Sequence, residues 1–177
     1  MFVAVEKTWK AAGMTFQVYD NFLDPEAFKT IAETMQSDNF PWFIAKGVNN
    51  DDDGQRQFIH IFYRANLPNS GYFDLLNPLL NKLMSAAIIR VKANLVPKTS
   101  QITHHGMHRD QSFKCKVGVF YINTNDGFTE FQTGETVGSV ANRLLIFDND
   151  LLHGGTSCTN AHERIVININ FMERSTI

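Results

Sequence analysis

Apolar residues recur at helical spacing early in the chain and predict a first helix over residues 24–37. Asp24 is suited to cap its first turn, and Pro25 is suited to its first position, where a backbone N–H would lack a partner. Four residues form the apolar stripe: Phe28, Ile31, Ala32 and Met35. A second apolar stripe predicts another helix over residues 72–87, which Pro78 either opens or kinks. We expect both helices to pack on the outside of a sheet.

Residues 47–54 are too polar and too rich in flanking glycine to present an apolar face, so we expect an exposed loop there. The consecutive aspartates Asp51, Asp52 and Asp53 leave two further interpretations open, a site for a hard cation such as Ca²⁺ or a lid over a site elsewhere. A plain solvated connection is the simplest of the three.

From residue 88 onward the pattern changes to short apolar runs separated by turn residues, which is typical of an antiparallel β unit. The predicted strands are residues 89–96, 106–110, 116–123, 129–131, 135–140, 143–147 and 164–172. We therefore predict a mainly β protein with supporting α-helices, built on a double-stranded β-helix, the jelly-roll barrel of cupins.

The last predicted strand separates two faces by simple alternation. One face carries Ile165, Ile167, Ile169 and Phe171, and the other carries Arg164, Val166, Asn168 and Asn170. The isoleucine face belongs in a core, whereas the other meets either water or a polar pocket. In a closed barrel the pocket is the better interpretation, and Arg164 is then expected to point into it.

Charge and cysteine content narrow the classes of function. The formal net charge of −2 provides no basic field, so nucleic-acid binding is not expected. Cys115 and Cys158 lack the spacing of a disulfide framework, the N-terminus has no signal-peptide pattern, and no apolar run is long enough to cross a bilayer. We therefore expect a soluble, reduced, cytoplasmic protein without a membrane partner.

The candidate chemistry lies in three residues of the C-terminal half. His108 and Asp110 occupy alternate positions of a predicted strand, so both side chains project to one side and can reach one ion. His-x-Asp alone is a weak signal, but His153 strengthens it, because it follows an apolar strand and precedes two glycines. Two imidazoles and one carboxylate occupy one face of a metal and leave the opposite positions open, as non-haem Fe(II) oxygenases require.

These residues carry a resemblance to a known family. Residues 89–172 resemble the Fe(II)- and 2-oxoglutarate-dependent dioxygenases, and within them the prolyl-4-hydroxylase-like group, including short versions encoded by phages. The matching segments are residues 108–110, 119–123, 127–131, 142–147, 152–154 and 163–164. The resemblance covers about half of the chain, and the N-terminal half matches only as a generic helical support.

The resemblance implies an oxidoreductase that hydroxylates a C–H bond. His108, Asp110 and His153 would be the catalytic metal ligands for Fe(II), with 2-oxoglutarate as cosubstrate, O2 as oxidant and ascorbate as a stimulant. The expected organisation is a single domain, 1–177. Residues 1–88 supply helical support and the first strands, and residues 89–173 form the jelly-roll core with the metal site. The location would be the cytoplasm, that of the host if a phage encodes the protein.

Three further residues take cosubstrate-binding roles, Arg164 and Tyr121 by the same resemblance and Asn168 by its place on the Arg164 face of the last predicted strand. Arg164 would hold the distal carboxylate of 2-oxoglutarate, since a guanidinium offers paired donors to a carboxylate. Tyr121 would donate a hydrogen bond to that carboxylate, although an ordinary core tyrosine is an open alternative. Asn168 would approach the cosubstrate or the substrate, or else face water. Val96 stands where relatives often place a tyrosine.

The substrate and two competing functions stay open at this point. The prolyl residue of a peptide or protein is the first substrate to test, but a free amino acid, a nucleobase or another metabolite would use the same iron site. A non-catalytic cupin-type metal-binding module and a zinc hydrolase with the same three ligands are the alternatives. His104 and His105 beside His108 resemble a zinc cluster, but we favour a loop there. His60 and His162 are interpreted as surface or partly buried histidines.

Overall fold

The computed structural model describes residues 5–11, 14–45, 47 and 56–174. The aspartates Asp51, Asp52 and Asp53, for which a loop was predicted, lie outside the described residues. In the described part of the chain, no helix is both long enough and apolar enough to cross a membrane.

Two short helices cover the sheet. Helix α1, Pro25–Met35, confirms the first predicted helix, and Asp24 caps it by accepting a hydrogen bond from the backbone N–H of Ala27 at 3.0 Å. Helix α2, Asn77–Leu83, is shorter than predicted because a 3-10 turn, Phe73–Leu76, precedes it. Pro78 opens α2 rather than kinking it, since it lies in the first turn.

The strands are β1 Val5–Ala11, β2 Met14–Asp20, β3 Phe43–Ala45, β4 Gln57–Arg64, β5 Leu67–Pro68, β6 Ala87–Pro97, β7 Lys116–Tyr121, β8 Phe128–Phe131, β9 Thr136–Gly138, β10 Arg143–Asp148, β11 His153–Gly155 and β12 Glu163–Met172. They form two antiparallel sheets. The larger sheet has the order β1-β2-β10-β7-β12-β6-β4-β3, with β5 paired to β4, and the smaller has the order β11-β8-β9. The predicted jelly-roll class, mainly β with supporting α-helices, is confirmed.

The predicted strand over residues 106–110 is wrong. His108 forms only an isolated bridge to His153, and no ladder continues from it. The reason lies in the next residues, because the backbone N–H groups of Asp110 and Gln111 both donate to the side-chain oxygen of Asn149 at 3.1 Å. This side chain takes the N–H groups that a longer ladder would use, so the segment leaves the sheet after one residue pair.

The core lies on both sides of β12, as its alternation predicts. Its four apolar residues Ile165, Ile167, Ile169 and Phe171 pack in the cluster that includes residues of α1 and α2. On the opposite face, Val166 joins a second apolar cluster between the two sheets, and Arg164 and Asn168 line a cavity. The strand therefore positions polar side chains inside the barrel while its other face anchors the sheet to the helices.

Three smaller predictions are settled by the same description. Cys115 and Cys158 are buried and free, which agrees with the absence of a disulfide framework. His162 is exposed, but His60 is buried, so the interpretation of His60 as a surface or partly buried histidine is wrong. Its burial is tolerated because both ring nitrogens have partners, the carbonyl of Pro41 and the hydroxyl of Ser70, each at 2.7 Å.

Candidate metal centre

His108, Asp110 and His153 meet at one end of the cavity between the sheets. Their ligand atoms all lie within 4.8 Å of one another, and they form the one such group of three that we find among the described residues. The two histidines are brought together by a reciprocal pair of backbone hydrogen bonds of 2.9 and 3.1 Å. A single bridge between strand β11 and the loop before β7 therefore brings together His108 and His153, which are far apart in the sequence.

The backbone orients both imidazole rings. The Nδ1 atom of His108 lies 3.2 Å from the carbonyl of Gly106, and the Nδ1 atom of His153 lies 3.1 Å from the carbonyl of Leu151. A carbonyl accepts only, so each Nδ1 carries the proton and each Nε2 keeps its lone pair for a metal. The two Nε2 atoms face the Asp110 carboxylate, at 3.7 Å and 3.9 Å. Burial lowers the pKa of His153, against the opposing effect of Asp110, and this favours the neutral ring.

The Asp110 carboxylate is held by three side chains. Asn168 and Asn170 each donate to its Oδ2 atom at 2.9 Å, and Arg90 donates to its Oδ1 atom at 3.0 Å. Burial opposes ionisation, but the charge of Arg90 and the hydrogen bond from Asn168 outweigh it and hold the pKa of Asp110 well below its usual range. Asp110 is therefore a fixed carboxylate at neutral pH, as a metal ligand has to be.

The donor set fits a divalent first-row transition metal. The Nε2 lone pairs of two neutral imidazoles and the oxygens of one carboxylate point towards one another. The Nδ1 atoms of the imidazoles are hydrogen-bonded to backbone carbonyls and the carboxylate to side chains, which is the usual support of a metal site. Among the described residues no fourth acidic or thiol ligand joins this group. The arrangement supplies one face of ligands and leaves the remaining positions to small molecules.

A second polar group lies in the same cavity. Arg164 is only 4% exposed, and its guanidinium donates to Ser139 Oγ at 2.8 Å and to Thr129 Oγ1 at 3.1 Å. In the described part of the chain no carboxylate lies within ion-pair distance of it. Burial lowers its pKa from the ordinary value, but a guanidinium stays charged at neutral pH. Arg164 is therefore a buried cation without an anionic partner, next to a candidate metal site.

Tyr121 lies behind the cavity wall. Its ring is fully buried, with the Arg164 guanidinium 5.6 Å from the ring centroid, and its hydroxyl donates to Thr129 Oγ1 at 2.8 Å. Burial raises the pKa of Tyr121, so the hydroxyl keeps its proton. Thr129, unlike Tyr121, lines the cavity. Thr129 accepts a hydrogen bond from Arg164 and is hydrogen-bonded to the Tyr121 hydroxyl, which also lies 3.4 Å from the carbonyl oxygen of Val137.

The structure thus brings together most of the sequence-derived residues. His108, Asp110 and His153 converge, Arg164 and Asn168 line the same cavity of about 80 Å³, and Tyr121 does not reach it directly. Asn168 faces the Asp110 carboxylate rather than open water. The other lining residues are Gln57, Lys92, Asn94, Val96, His105, Val119, Thr129, Gly154, Gly155 and Val166.

The sequence interpretation did not single out the supporting residues. Asn149 turns the ligand loop, Thr129 and Ser139 hold Arg164, and Arg90 neutralises Asp110. Of these residues, only Arg90 could have been predicted from the sequence, because it alternates with other polar residues along β6, which places them on one face of the strand. His104, by contrast, lies apart from the metal ligands and pairs with Glu130 at 2.9 Å, so the zinc-cluster interpretation is not supported.

Comparisons with known proteins agree with this architecture. The chain matches no protein-family model, and no curated protein matches it. A prolyl-4-hydroxylase from Pseudomonas putida superposes with a TM-score of 0.62 at 13% identity, covering 89% of this chain and 92% of that one. SnoN, a non-haem alpha-ketoglutarate-dependent epimerase of nogalamycin biosynthesis, superposes with a TM-score of 0.61 at 12% identity, covering 89% and 76%. The chain therefore has the jelly-roll fold on which 2-oxoglutarate oxygenases are built.

Proposed function

We propose that this protein is an Fe(II)- and 2-oxoglutarate-dependent dioxygenase that hydroxylates a C–H bond. One observation carries the proposal: the buried Arg164 guanidinium, which lacks a carboxylate partner among the described residues, shares a cavity with the His108, Asp110 and His153 group. A dicarboxylate that reaches both the metal and Arg164 explains why a barrel interior keeps this uncompensated charge.

Each residue then has a defined task. His108 and His153 bind Fe(II) through Nε2, and Asp110 binds it through one carboxylate oxygen while Asn168 keeps that carboxylate oriented. Fe(II) together with 2-oxoglutarate and O2 supplies the oxidising chemistry, with ascorbate as a stimulant.

The distal end of the cosubstrate is bound by a second set of groups. Arg164 donates to the distal carboxylate of 2-oxoglutarate, and Thr129, which accepts from Arg164, lines the same cavity. Tyr121 acts as a positioning residue, because its hydroxyl is hydrogen-bonded to Thr129 Oγ1 and holds that side chain in place. Tyr121 thus reaches the cosubstrate through Thr129 rather than by the direct bond that the resemblance implied.

A prolyl residue of a peptide or protein is the first substrate to test. The support is a single fold likeness, to a structure described as a prolyl-4-hydroxylase, and the epimerase likeness shows that the same fold serves another reaction. The proposed location is the cytoplasm.

The test is metal-dependent turnover of 2-oxoglutarate. Purified protein is given Fe(II), ascorbate and 2-oxoglutarate, and succinate is measured without added substrate and with a panel of peptides, amino acids and nucleic acids. We expect uncoupled succinate release that His108→Ala and Asp110→Ala abolish, whereas His162→Ala, a change at an exposed histidine outside the site, leaves it intact.

Other outcomes identify the alternatives. If the protein binds metal but no 2-oxoglutarate, it is a cupin-type binding module. If Zn(II) supports an activity that does not depend on O2, it is a hydrolase with the same ligands. If it binds neither metal nor 2-oxoglutarate, the proposal is wrong.

A further inference from the structure

Strand β6 presents a polar face to the cavity beside the metal ligands. Lys92 and Asn94 lie on this face and line the cavity, and Arg90 follows on the same side of the strand. In the register between β6 and β12, Lys92 is paired with Asn168, which donates to Asp110. Side chains of such a cross-strand pair start about 5 Å apart, so the Lys92 ammonium can reach the space next to the metal ligands.

Lys92 and Asn94 have polar atoms that the rest of the described protein does not satisfy. No described carboxylate lies within ion-pair distance of the Lys92 ammonium, whereas the neighbouring Arg90 pairs with Asp110 at 3.0 Å. The amide oxygen of Asn94 is buried and has no hydrogen-bond partner. Burial and the charge of Arg90 lower the pKa of Lys92 to about 8, although Asp110 opposes them. A buried amide oxygen without a partner, beside an ammonium without a counter-ion, indicates a ligand.

A count of charges shows that 2-oxoglutarate does not account for Lys92. The cavity and its wall carry three cations, Arg90, Lys92 and Arg164, and one carboxylate, Asp110. Arg90 compensates Asp110. In the proposed function the metal adds two positive charges and 2-oxoglutarate adds two negative ones, with one carboxylate on Arg164 and the other on the metal, so Lys92 still has no anion of its own.

We propose that Lys92 binds a carboxylate of the substrate, which makes the substrate class a carboxylic acid whose reacting C–H bond lies close to that group. This inference rests on the proposed dioxygenase function. The unsatisfied oxygen of Asn94 accepts a hydrogen bond from an N–H or O–H group of the same molecule, which favours an amino, amido or hydroxy acid. A single ammonium beside one amide suits a monoanion, whereas phosphate is usually bound by several arginines or backbone N–H groups.

The test measures binding of a small carboxylate to the loaded protein. Protein saturated with Zn(II), a redox-inert substitute for Fe(II), and with 2-oxoglutarate is titrated with N-acetylglycine, its neutral amide, or methyl phosphate, and binding is followed by NMR. We expect N-acetylglycine to perturb residues of β6 and β12, with affinity at least about tenfold higher than that of the amide, as a desolvated charged hydrogen bond provides.

Variants separate Lys92 from general effects of charge. Lys92→Met should weaken N-acetylglycine binding by about tenfold or more. The same variant should change the affinity for 2-oxoglutarate much less. Lys92→Arg should restore most of the binding. Lys98→Met is the matched control, since Lys98 is an exposed lysine near the end of the same strand, and it should bind the acid as the unmodified protein does.

Each other result overturns the inference. It is wrong if the acid does not bind, if the amide binds equally well, or if Lys92→Met changes nothing. An equal loss of 2-oxoglutarate affinity in Lys92→Met would make Lys92 a cosubstrate residue, and tighter binding of methyl phosphate would make the substrate a phosphate. The proposed dioxygenase function is tested first and separately, by 2-oxoglutarate binding to the metal-loaded protein. If 2-oxoglutarate does not bind, the proposed function fails before the role of Lys92 is tested.

Discussion

Replacing Arg164 by methionine should affect 2-oxoglutarate binding and protein stability in different ways. Methionine keeps an unbranched side chain of similar length but removes the charge and all five donors. The guanidinium is 4% exposed, its partners are the hydroxyls of Ser139 and Thr129, and no described carboxylate pairs with it. The change therefore acts on a buried cation whose anionic partner is, in our proposal, the cosubstrate.

Arg164→Met should change protein stability little and 2-oxoglutarate affinity strongly. Loss of the two hydrogen bonds to hydroxyls costs about 1 kcal/mol each, but removal of an unpaired buried charge returns a desolvation penalty of several kcal/mol. We therefore expect the midpoint of thermal unfolding to fall by no more than about 4 °C, or to rise. Binding of 2-oxoglutarate loses charge-assisted hydrogen bonds worth about 3 kcal/mol together, so affinity falls by about 100-fold or more.

The assay compares thermal unfolding and 2-oxoglutarate binding by calorimetry in the same metal-loaded samples. Arg143→Met is the matched control, because Arg143 donates to both oxygens of Asp20, at 2.6 and 3.0 Å, and does not line the cavity. That variant should lose stability and keep 2-oxoglutarate binding. If Arg164→Met instead unfolds readily and still binds 2-oxoglutarate, Arg164 is a structural residue and the reasoning fails.

Three more predictions follow from particular contacts. Asn170→Leu removes one of the two amide donors to Asp110 Oδ2 and should weaken metal binding about tenfold, measured by competition with a chelating dye; an unchanged affinity would contradict the role of that contact. Gly154→Ala should lower the free energy of unfolding by about 2 kcal/mol or more and disturb metal binding, because its Cβ would lie 2.5 Å from the carbonyl oxygen of His105. The control is Gly138→Ala, whose Cβ would meet nothing within 4 Å and which should unfold in urea like the original protein. Metal-free protein should lose stability as the pH falls below about 6.5, because the pKa of His153 is lowered by burial and the unfolded chain binds more protons in that window. Urea titrations across this range should show a shallower slope for His153→Gln and an unchanged slope for the exposed His162→Gln; equal slopes in all three proteins would contradict the assignment.

The convergence of His108, Asp110 and His153 could be predicted because its signals are local. His108 and Asp110 are two residues apart, and His153 lies where an apolar strand ends. The alternation along β12 predicted both the core face and the cavity position of Arg164 and Asn168, since a strand fixes side-chain direction by parity. β6 carries the same kind of signal, so its polar face could have been predicted by the same reasoning.

Other features could not be predicted because they depend on contacts distant in sequence. The side chain of Asn149 binds the backbone of Asp110 and Gln111 and so cancels the strand predicted over residues 106–110. Ser139 and Thr129 come from different strands and meet only at Arg164. Their hydroxyls carry no periodic pattern, and nothing in the sequence distinguishes them from surface serines and threonines.

The charges around Asp110 also determine how metal and cosubstrate depend on each other. Arg90 and the two asparagine amides reduce the negative potential of Asp110, the one carboxylate in the candidate metal group among the described residues, and Lys92 and Arg164 add positive charge to the cavity. A divalent cation alone therefore enters an unfavourable field, and 2-oxoglutarate alone lacks the metal that would bind its keto acid end. Each should strengthen the binding of the other by the same factor, because coupling between two sites is reciprocal. Calorimetric titration of metal with and without 2-oxoglutarate, and of 2-oxoglutarate with and without metal, measures this factor twice, and independent binding in either direction would contradict a shared site.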